Sequence, residues 1–178
     1  MLSMEYIAGL IDSDGSISIS LSRNRYKRKK GTGGETIQPA FVVNFRQVEQ
    51  YLWVVEELQE TIGFGSIYLD KKKHIGQLMV SWQTTKEEDA LAFCILIEPY
   101  LRIKKEQAQH MIEALEIWKS GRLGKKGAGY YHTEESKNEI IRISSLMNPS
   151  QQKESSRRNK EIRESILPDF GQQLSVRN

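Results

Sequence analysis

The chain has 178 residues, of which 38% are hydrophobic and 28% are charged, and its formal net charge is +3. This length suits one domain with its own core. The single cysteine, Cys94, excludes an intrachain disulfide, and three scattered histidines give no zinc site. No apolar run approaches the roughly 18 residues of a membrane span, so we expect no membrane contact.

The first predicted element is a short helix that ends on two carboxylates. Ser3 is a suitable N-cap, and apolar residues recur at helical spacing over residues 7–11. The helical pattern stops at the run Asp-Ser-Asp-Gly of residues 12–15, and a strand-like alternation of apolar residues with serine follows at once. Ala8 and Gly9 leave little side-chain bulk on one helix face, which favours a close contact with another helix.

Carboxylates at a helix C-terminus require a compensating cation, because the carbonyl end of the helix is already partly negative. Hard oxygen ligands from Asp14 and the terminal carbonyl of Ser13 suit Mg²⁺ or Ca²⁺. Taken alone, residues 12–15 fit an ordinary turn equally well. A calcium loop of the EF-hand type is excluded, since Gly15 comes at the fourth position and Arg23 at the twelfth.

A basic run over residues 23–30 follows the first predicted strand and holds six cations. Since the whole chain carries only +3, this basicity is local. The run joins two strand-like segments, and three lysines over residues 71–73 join two more. Both runs fit either solvated loops or hairpin tips that follow phosphates.

The remaining elements alternate hairpins with helices. Strands are predicted over residues 38–47, 64–70 and 77–83, and helices over residues 50–62, 85–97 and 103–120. Thr85 is the expected cap of the second of these helices, and Pro99 ends it. This order predicts an α+β fold, in which helices cover one face of an antiparallel sheet and the other face stays polar.

The core is predicted to span residues 1–120. Residues 121–148 are expected to add a flexible basic loop and a helix capped by Thr133 to the same domain. Residues 149–178 are rich in Ser, Gln, Lys and Arg, and we expect them to form a polar, mobile tail.

The polar face of the predicted sheet, rimmed by basic loops, suits the major groove of DNA. Hydroxyl, amide and guanidinium groups can read base edges, although serines on a strand are equally typical of a solvent-facing surface. The candidate DNA-binding residues are Ser18, Ser20, Ser22, Asn24, Arg25, Tyr26, Lys27, Arg28, Lys29, Lys30, Gln38, Asn44, Arg46, Ser66, Tyr68, Asp70, Lys71, Lys72, Lys73, Gln77 and Ser81.

Two further polar residues are candidates for a site around Asp14. Gln47 ends the second predicted strand, where antiparallel pairing brings it back beside Asp14 and lets it orient a water molecule. Lys104 opens the helix that follows Pro99 and is a candidate for stabilising developing charge. The residues alone favour ordinary surface roles for both.

The run Tyr6-Ile-Ala-Gly-Leu-Ile-Asp-Ser-Asp-Gly-Ser16 closely resembles the signature of the LAGLIDADG homing endonucleases. Ile7 stands in the first Leu position and Ser13 in the second Ala position. The segment around Gln47, the turn over residues 62–65 and residues 99–108 also resemble single-motif members of this family. The resemblance spans about residues 6–118 and implies an αββαββα half-fold that homodimerises through the motif helix.

The resemblance also implies a catalytic set. Asp14 would bind metal together with the backbone carbonyl of Ser13, Gln47 would position water, and Lys104 would support the transition state through solvent. Such enzymes cut both DNA strands across the minor groove, leave short 3′ overhangs and promote the mobility of their intron. Mg²⁺ is the implied cofactor, with Mn²⁺ expected to substitute and Ca²⁺ to bind without cleavage. Tyr51 occupies the place of a basic residue that some members carry, and Arg46 is a candidate replacement.

One chain supplies one Asp14, because the motif occurs once, whereas cutting a duplex needs two sites. We therefore expect a homodimer in which divalent metals relieve the repulsion between two adjacent carboxylates. Two-fold symmetry predicts a pseudo-palindromic target. The candidate interface residues are Ile7, Ala8, Gly9, Ile11 and Asp12.

Two other classes remain open. An RNA-binding maturase on the same fold would help its host intron to splice and could use the basic loop of residues 122–126. A transcriptional regulator would usually carry an added helix-turn-helix, for which the one helix after Thr133 is too little. No transit peptide is visible, so we expect an intracellular protein, either of a bacterial cytoplasm or of a chloroplast or mitochondrion that translates its own intron genes.

Overall fold

The structure is a computed structural model that describes residues 1–27, 33–71, 74, 76–126 and 129–147. Side chains are described for these residues except 23–27, 33–36, 125, 126 and 129–131. The basic candidates Arg28, Lys29, Lys30, Lys72 and Lys73 and the predicted tail over residues 149–178 lie outside the described residues. The described residues form two compact units, one of Met1–Ile19 with Phe41–Leu115 and the other of the described residues within Ser20–Ala40 and after Leu115.

The described elements follow the predicted order and add a hairpin. The helices are α1 Met4–Asp14, α2 Leu52–Ile62, α3 Glu87–Ile97, α4 Lys105–Ser120 and α5 Glu134–Met147. The strands are β1 Gly15–Lys27, β2 Gly33–Val48, β3 Ser66–Leu69, β4 Met79–Gln83, β5 Arg122–Lys126 and β6 Gly129–His132. Strands β1 to β4 form an antiparallel sheet in the order β1-β2-β4-β3, which confirms the predicted α+β fold.

Helix α1 begins and ends where the sequence predicts. The Ser3 hydroxyl oxygen accepts a hydrogen bond from the Tyr6 backbone N–H at 3.3 Å, as expected of an N-cap. At the other end, Gly15 has an extended backbone with φ −82°. A Cβ atom at Gly15 would lie only 2.7 Å from the Ile11 Cα, so a side chain does not fit where the helix turns directly into β1.

The strand register separates an apolar face from a polar face. In one row Phe45 lies opposite Trp82, which lies opposite Ile67, and both Phe45 and Trp82 are fully buried. In the next row Arg46, Ser81 and Tyr68 lie opposite one another and point to the other face. The predicted alternation on the first two strands is confirmed by the buried side chains, which are Ile17, Ile19, Leu21, Phe41, Val43 and Phe45.

The start of helix α3 differs from the prediction. Helix α3 has Lys86 as its N-cap, without a side-chain hydrogen bond, in place of the predicted Thr85. Helix α3 ends at Ile97 as predicted, and Pro99 lies in the 3₁₀ turn Glu98–Tyr100 that follows it. Leu69 lies on the apolar face as predicted, in the row of Val80, but it is 52% exposed because β3 is an edge strand that ends there. Cys94 packs in the core as predicted, and burial raises the pKa of its thiol to about 12.

The second unit holds a hairpin where the sequence predicts a flexible loop. Strands β5 and β6 pair antiparallel, with Lys125 opposite Tyr130. The Trp118 and His132 rings stack with centroids 3.4 Å apart. Thr133 caps α5 as predicted, because its side-chain oxygen accepts the Ser136 backbone N–H at 3.1 Å.

Among the described helices, none has the length and apolar character to cross a membrane.

Candidate active site at the end of helix α1

Asp14 and Gln47 lie together at the exposed end of helix α1. Asp14 is the last residue of the helix, and Gln47 lies near the end of β2, beside the start of β1. The Gln47 Nε2 donates to the Asp14 Oδ2 at 3.5 Å. The Gln47 Oε1 accepts the Val48 backbone N–H at 2.9 Å, which fixes which end of the amide faces Asp14. The structure thus brings together the two residues that the sequence placed side by side.

Lys104 supplies a cation to the end of helix α1. Its ammonium donates to the carbonyl oxygens of Ile11 at 2.7 Å and of Asp12 at 2.6 Å. Terminal helix carbonyls lack intrahelical partners and carry partial negative charge, so this contact stabilises the helix end. The sequence suggested that a bound metal compensates the negative end of α1. At these two carbonyl groups, Lys104 of the same chain supplies that positive charge.

Asp12 ties helix α1 to the segment before helix α4. Its carboxylate accepts the backbone N–H groups of Arg102 at 2.9 Å, Ile103 at 3.2 Å and Lys104 at 2.9 Å. Partial burial raises the pKa of the Asp12 carboxyl, but these hydrogen bonds and the Lys104 charge outweigh it and hold that pKa below the ordinary aspartate value. Sequence reasoning missed this role, although N–H groups ahead of a helix are known to need an acceptor.

The burial of α1 limits the predicted interface. Ile7, Ala8 and Ile11 are at most 1% exposed within the chain, and the Asp12 carboxylate accepts hydrogen bonds from the chain's own backbone. The prediction of Ile7, Ala8 and Ile11 as interface residues is therefore wrong, because their side chains are buried within the chain, whereas Asp12 is half-buried and its interface role stays a prediction. Gly9 remains a candidate interface residue, because it is exposed and no atom of the described part of the chain lies within 4 Å of a Cβ atom placed there.

Exposed residues at helical spacing define one solvent-facing side of α1. Tyr6 is 49% exposed and Ser13 is exposed, and with Gly9 they recur at intervals of three and four residues. This Tyr6–Gly9–Ser13 face carries the small residue that the sequence singled out for close helix packing.

The predicted DNA-binding residues differ in exposure. Those that are exposed are Ser20, Ser22, Gln38, Arg46, Tyr68 and Lys71, and those that are half-buried are Ser18, Asn44, Ser66, Asp70 and Ser81. Asn24, Arg25, Tyr26 and Lys27 lie on β1, where the structure describes no side chains. Gln77 lies outside β4, in a bridge to His74, because the strand begins at Met79 and not at residue 77.

Two of the predicted base-reading residues contact each other. The Arg46 guanidinium forms an ion pair with the Asp70 carboxylate, across the polar face of the sheet. The Ser22 hydroxyl also makes a contact, donating to the Gln38 backbone carbonyl at 3.1 Å.

The donors that one chain offers for a metal are few. In the described part of the chain, no group of three or more His, Cys, Asp or Glu side chains could hold a metal ion. Asp14 is an exposed hard oxygen donor at the end of α1, beside the Ser13 carbonyl, and this donor type suits Mg²⁺. A complete coordination shell would need oxygens from outside the chain, such as phosphate groups or a second Asp14.

Comparison with known families identifies the fold. The family described as LAGLIDADG endonuclease matches residues 7–115, and the chain belongs to this family. The match confirms the family that the motif of residues 6–16 resembles. The class of activity is therefore that of a site-specific DNA endonuclease. No curated protein matches the chain significantly.

Solved structures with the same fold include three homing endonucleases or meganucleases. The homing endonuclease I-TnaI is 19% identical with a TM-score of 0.67, and the match covers 93% of this chain and 98% of that one. I-CvuI, crystallised with its DNA target in the presence of calcium, is 13% identical with a TM-score of 0.61, over 92% and 93%. The DNA-bound meganuclease I-SmaMI is 20% identical with a TM-score of 0.65, over 83% of this chain but only 45% of its own.

Proposed function

We propose that the protein is a homodimeric homing endonuclease that hydrolyses both strands of a long, pseudo-palindromic DNA site with the help of divalent metal. The observation that carries this proposal is the contact between Gln47 Nε2 and Asp14 Oδ2 at the exposed end of α1. A carboxylate for metal and an amide for water there form the minimal set for phosphodiester hydrolysis.

Asp14 and the Ser13 carbonyl would hold the metal, and Mg²⁺ is the proposed ion, with Mn²⁺ able to substitute and Ca²⁺ binding without cleavage. I-CvuI has been crystallised on DNA with calcium and with magnesium, which supports divalent metal for the fold. When bound, the metal supplies Lewis-acid stabilisation of the phosphate and a more acidic water.

The chain's own groups would act around that metal. The Gln47 amide, fixed by the Val48 N–H, would orient the attacking water. Lys104 would hold the end of α1 in place, so that Asp14 keeps its position, and would favour the charge that develops on the phosphate.

The dimer follows from the count of active sites. The chain covers 98% of I-TnaI but 45% of I-SmaMI, whose chain is therefore about two of these folds long. A protein with one motif needs a second copy to present two Asp14 carboxylates. The Tyr6–Gly9–Ser13 face would form the contact, and two-fold symmetry would place one site on each strand, giving a staggered cut with short 3′ overhangs.

The polar face of the sheet would then lie in the DNA major groove, with the basic tips on phosphates. Cleavage of an intron-free allele would promote intron mobility. The matched family and the DNA-bound neighbours favour this DNA substrate over the RNA of a maturase.

The test is to select a target from a library of randomised duplexes with the full-length protein, and then to map the broken ends on both strands. We expect a pseudo-palindromic site and two staggered breaks when Mg²⁺ is present, and intact DNA when a chelator is added. Cleavage of one strand only would contradict the dimeric mechanism. Absence of selection, together with tight binding to the host intron RNA, would favour the maturase.

A further inference from the structure

Arg46 and Asp70 present an unexpected pairing on the surface proposed to read DNA. A carboxylate on such a surface is unfavourable, because it repels the phosphate backbone. Its ion pair with Arg46 links strand β2 to the residue that follows β3, along the outward face of the sheet. The side chains are 43% and 36% exposed, and an ion pair this open adds little to stability. Its position therefore calls for a functional explanation.

The strand register fixes where both residues point. Gln47 shares a row with the fully buried Val80, on the apolar side of the sheet. Adjacent residues on a strand point to opposite faces, so Arg46 points away from Gln47 and Asp14. Arg46 is for this reason badly placed to replace the basic group expected near Tyr51, and well placed to meet DNA.

Asp70 is placed to hold the guanidinium. Its backbone N–H donates to the Met79 carbonyl oxygen at 2.9 Å, which continues the ladder past the end of β3. Arg46, Ser81 and Tyr68 form the row next to Asp70 on the same face of the sheet. The Arg46 side chain must cross strand β4, a span of about 10 Å for two strand spacings, to reach Asp70. The extended Arg46 side chain and Asp70 lie close to the end of the sheet that carries Gln47.

We propose that Arg46 and Asp70 form one guanine-reading unit, a proposal that rests on the proposed function. A guanidinium has five N–H donors, and the Asp70 contact uses the Nη2 end. The other donors can pair with O6 and N7 of a guanine in the major groove. Asp70 is a positioning residue that holds the guanidinium edge-on to the guanine. Its negative charge also offsets the positive charge of Arg46, which weakens the attraction of Arg46 to other bases. Because Arg46 precedes Gln47, the guanine lies among the base pairs nearest the cleaved bonds in each half-site.

The test compares the base preferences of variants on a library of randomised duplexes. The proteins are wild type, Arg46→Gln, Asp70→Asn and the double variant, with Glu88→Gln as a charge-matched control on the exposed start of α3. We expect wild type to prefer guanine at one position of each half-site. Arg46→Gln should lower this preference about tenfold or more. Asp70→Asn should lower it at the same position, the double variant no further than Arg46→Gln alone, and Glu88→Gln not at all.

Three results would overturn the proposal. An unchanged guanine preference in Asp70→Asn would show that Asp70 does not position Arg46. Loss of preference at different positions in the two single variants would show that they read bases separately. Uniformly slower cleavage of all targets by Arg46→Gln, with base preferences intact, would assign Arg46 to catalysis. Failure of wild type to select any duplex would contradict the proposed function itself, whereas selection by wild type with either of the first two results contradicts only this inference.

Discussion

Asp12 and Lys104 lie 92 residues apart in the sequence and form two hydrogen bonds with each other. The Asp12 carboxylate accepts the Lys104 backbone N–H at 2.9 Å, and the Lys104 ammonium donates to the Asp12 carbonyl oxygen at 2.6 Å. This reciprocal contact closes the end of helix α1 on one side while Gln47 approaches Asp14 on the other. The candidate catalytic carboxylate is therefore held by groups from three separate parts of the sequence.

Replacing Lys104 by Met should lower both stability and cleavage. The change keeps most of the stem but removes two charged hydrogen bonds to the carbonyls at the end of α1. We expect a loss of about 1–3 kcal/mol in the free energy of unfolding, measured by urea denaturation. Cleavage should fall about tenfold or more, since the helix end that carries Asp14 loosens. Lys105→Met is the matched control, because the exposed Lys105 forms a longer ion pair, to Glu98 at 3.6 Å, on the protein surface. Equal stability of the two variants would contradict this role.

The contribution of Asp12 should depend on pH in a defined direction. Its folded-state pKa lies below the ordinary value of 3.8, so its stabilisation is complete above that value and is lost as the pH falls through the folded-state pKa. Asp12→Asn should therefore be less stable than wild type by about 1–3 kcal/mol near neutral pH. The difference should shrink only below about pH 4. Unfolding curves of both proteins at a series of pH values measure it. A difference that is constant down to pH 2 or so would argue against this titration.

Gly65→Ala should be far more damaging than Gly63→Ala. Both glycines have positive φ, of 91° and 80° respectively, so each alanine meets the same backbone strain of roughly 1–2 kcal/mol. A Cβ at Gly65 would also lie 2.5 Å from the Nε1 of the buried Trp82, whereas a Cβ at Gly63 meets nothing within 4 Å. We expect Gly65→Ala to lose about 1–3 kcal/mol more, as judged by thermal or urea unfolding. Equal losses would show that the Trp82 contact imposes no restriction.

Gly9→Leu should weaken the proposed dimer without unfolding the chain. No atom of the described residues lies within 4 Å of a Cβ atom at Gly9, so we expect the new side chain to clash with a partner helix. Sedimentation velocity should show a shift from dimer to monomer, while the free energy of unfolding of the monomer stays within about 1 kcal/mol. Lys119→Leu places the same exposed side chain on helix α4 and should leave the dimer intact. An unchanged sedimentation profile for Gly9→Leu would exclude this face as the interface.

Local patterns predicted much of the fold. Ser3 and Gly15 marked the limits of α1, and the apolar alternation marked the buried side of β1 and β2. The approach of Gln47 to Asp14 followed from antiparallel pairing alone. These features depend on neighbours in sequence or on adjacent strands, and short-range patterns record them.

Long-range polar contacts could not be predicted in the same way. The Asp12 carboxylate meets N–H groups of residues 102–104, and no periodicity connects the two segments. The pair of Arg46 and Asp70 requires the register of three strands, which the sequence does not give. The sequence predicts a loop where β5 and β6 form a hairpin, because glycines at residues 121, 124, 127 and 129 are typical of flexible segments.

A cleavage assay of the selected duplex with the Asp14→Asn protein decides whether Asp14 is the catalytic carboxylate. Wild type and the control Asp89→Asn, which changes a carboxylate in the first turn of α3, should cut both strands with Mg²⁺ and neither strand with chelator. Asp14→Asn should bind the duplex with similar affinity and cut neither strand, because the change removes a metal-binding charge and leaves the polar face of the sheet unaltered. Cleavage by Asp14→Asn at the wild-type rate, or cleavage by wild type in chelator, would contradict the account.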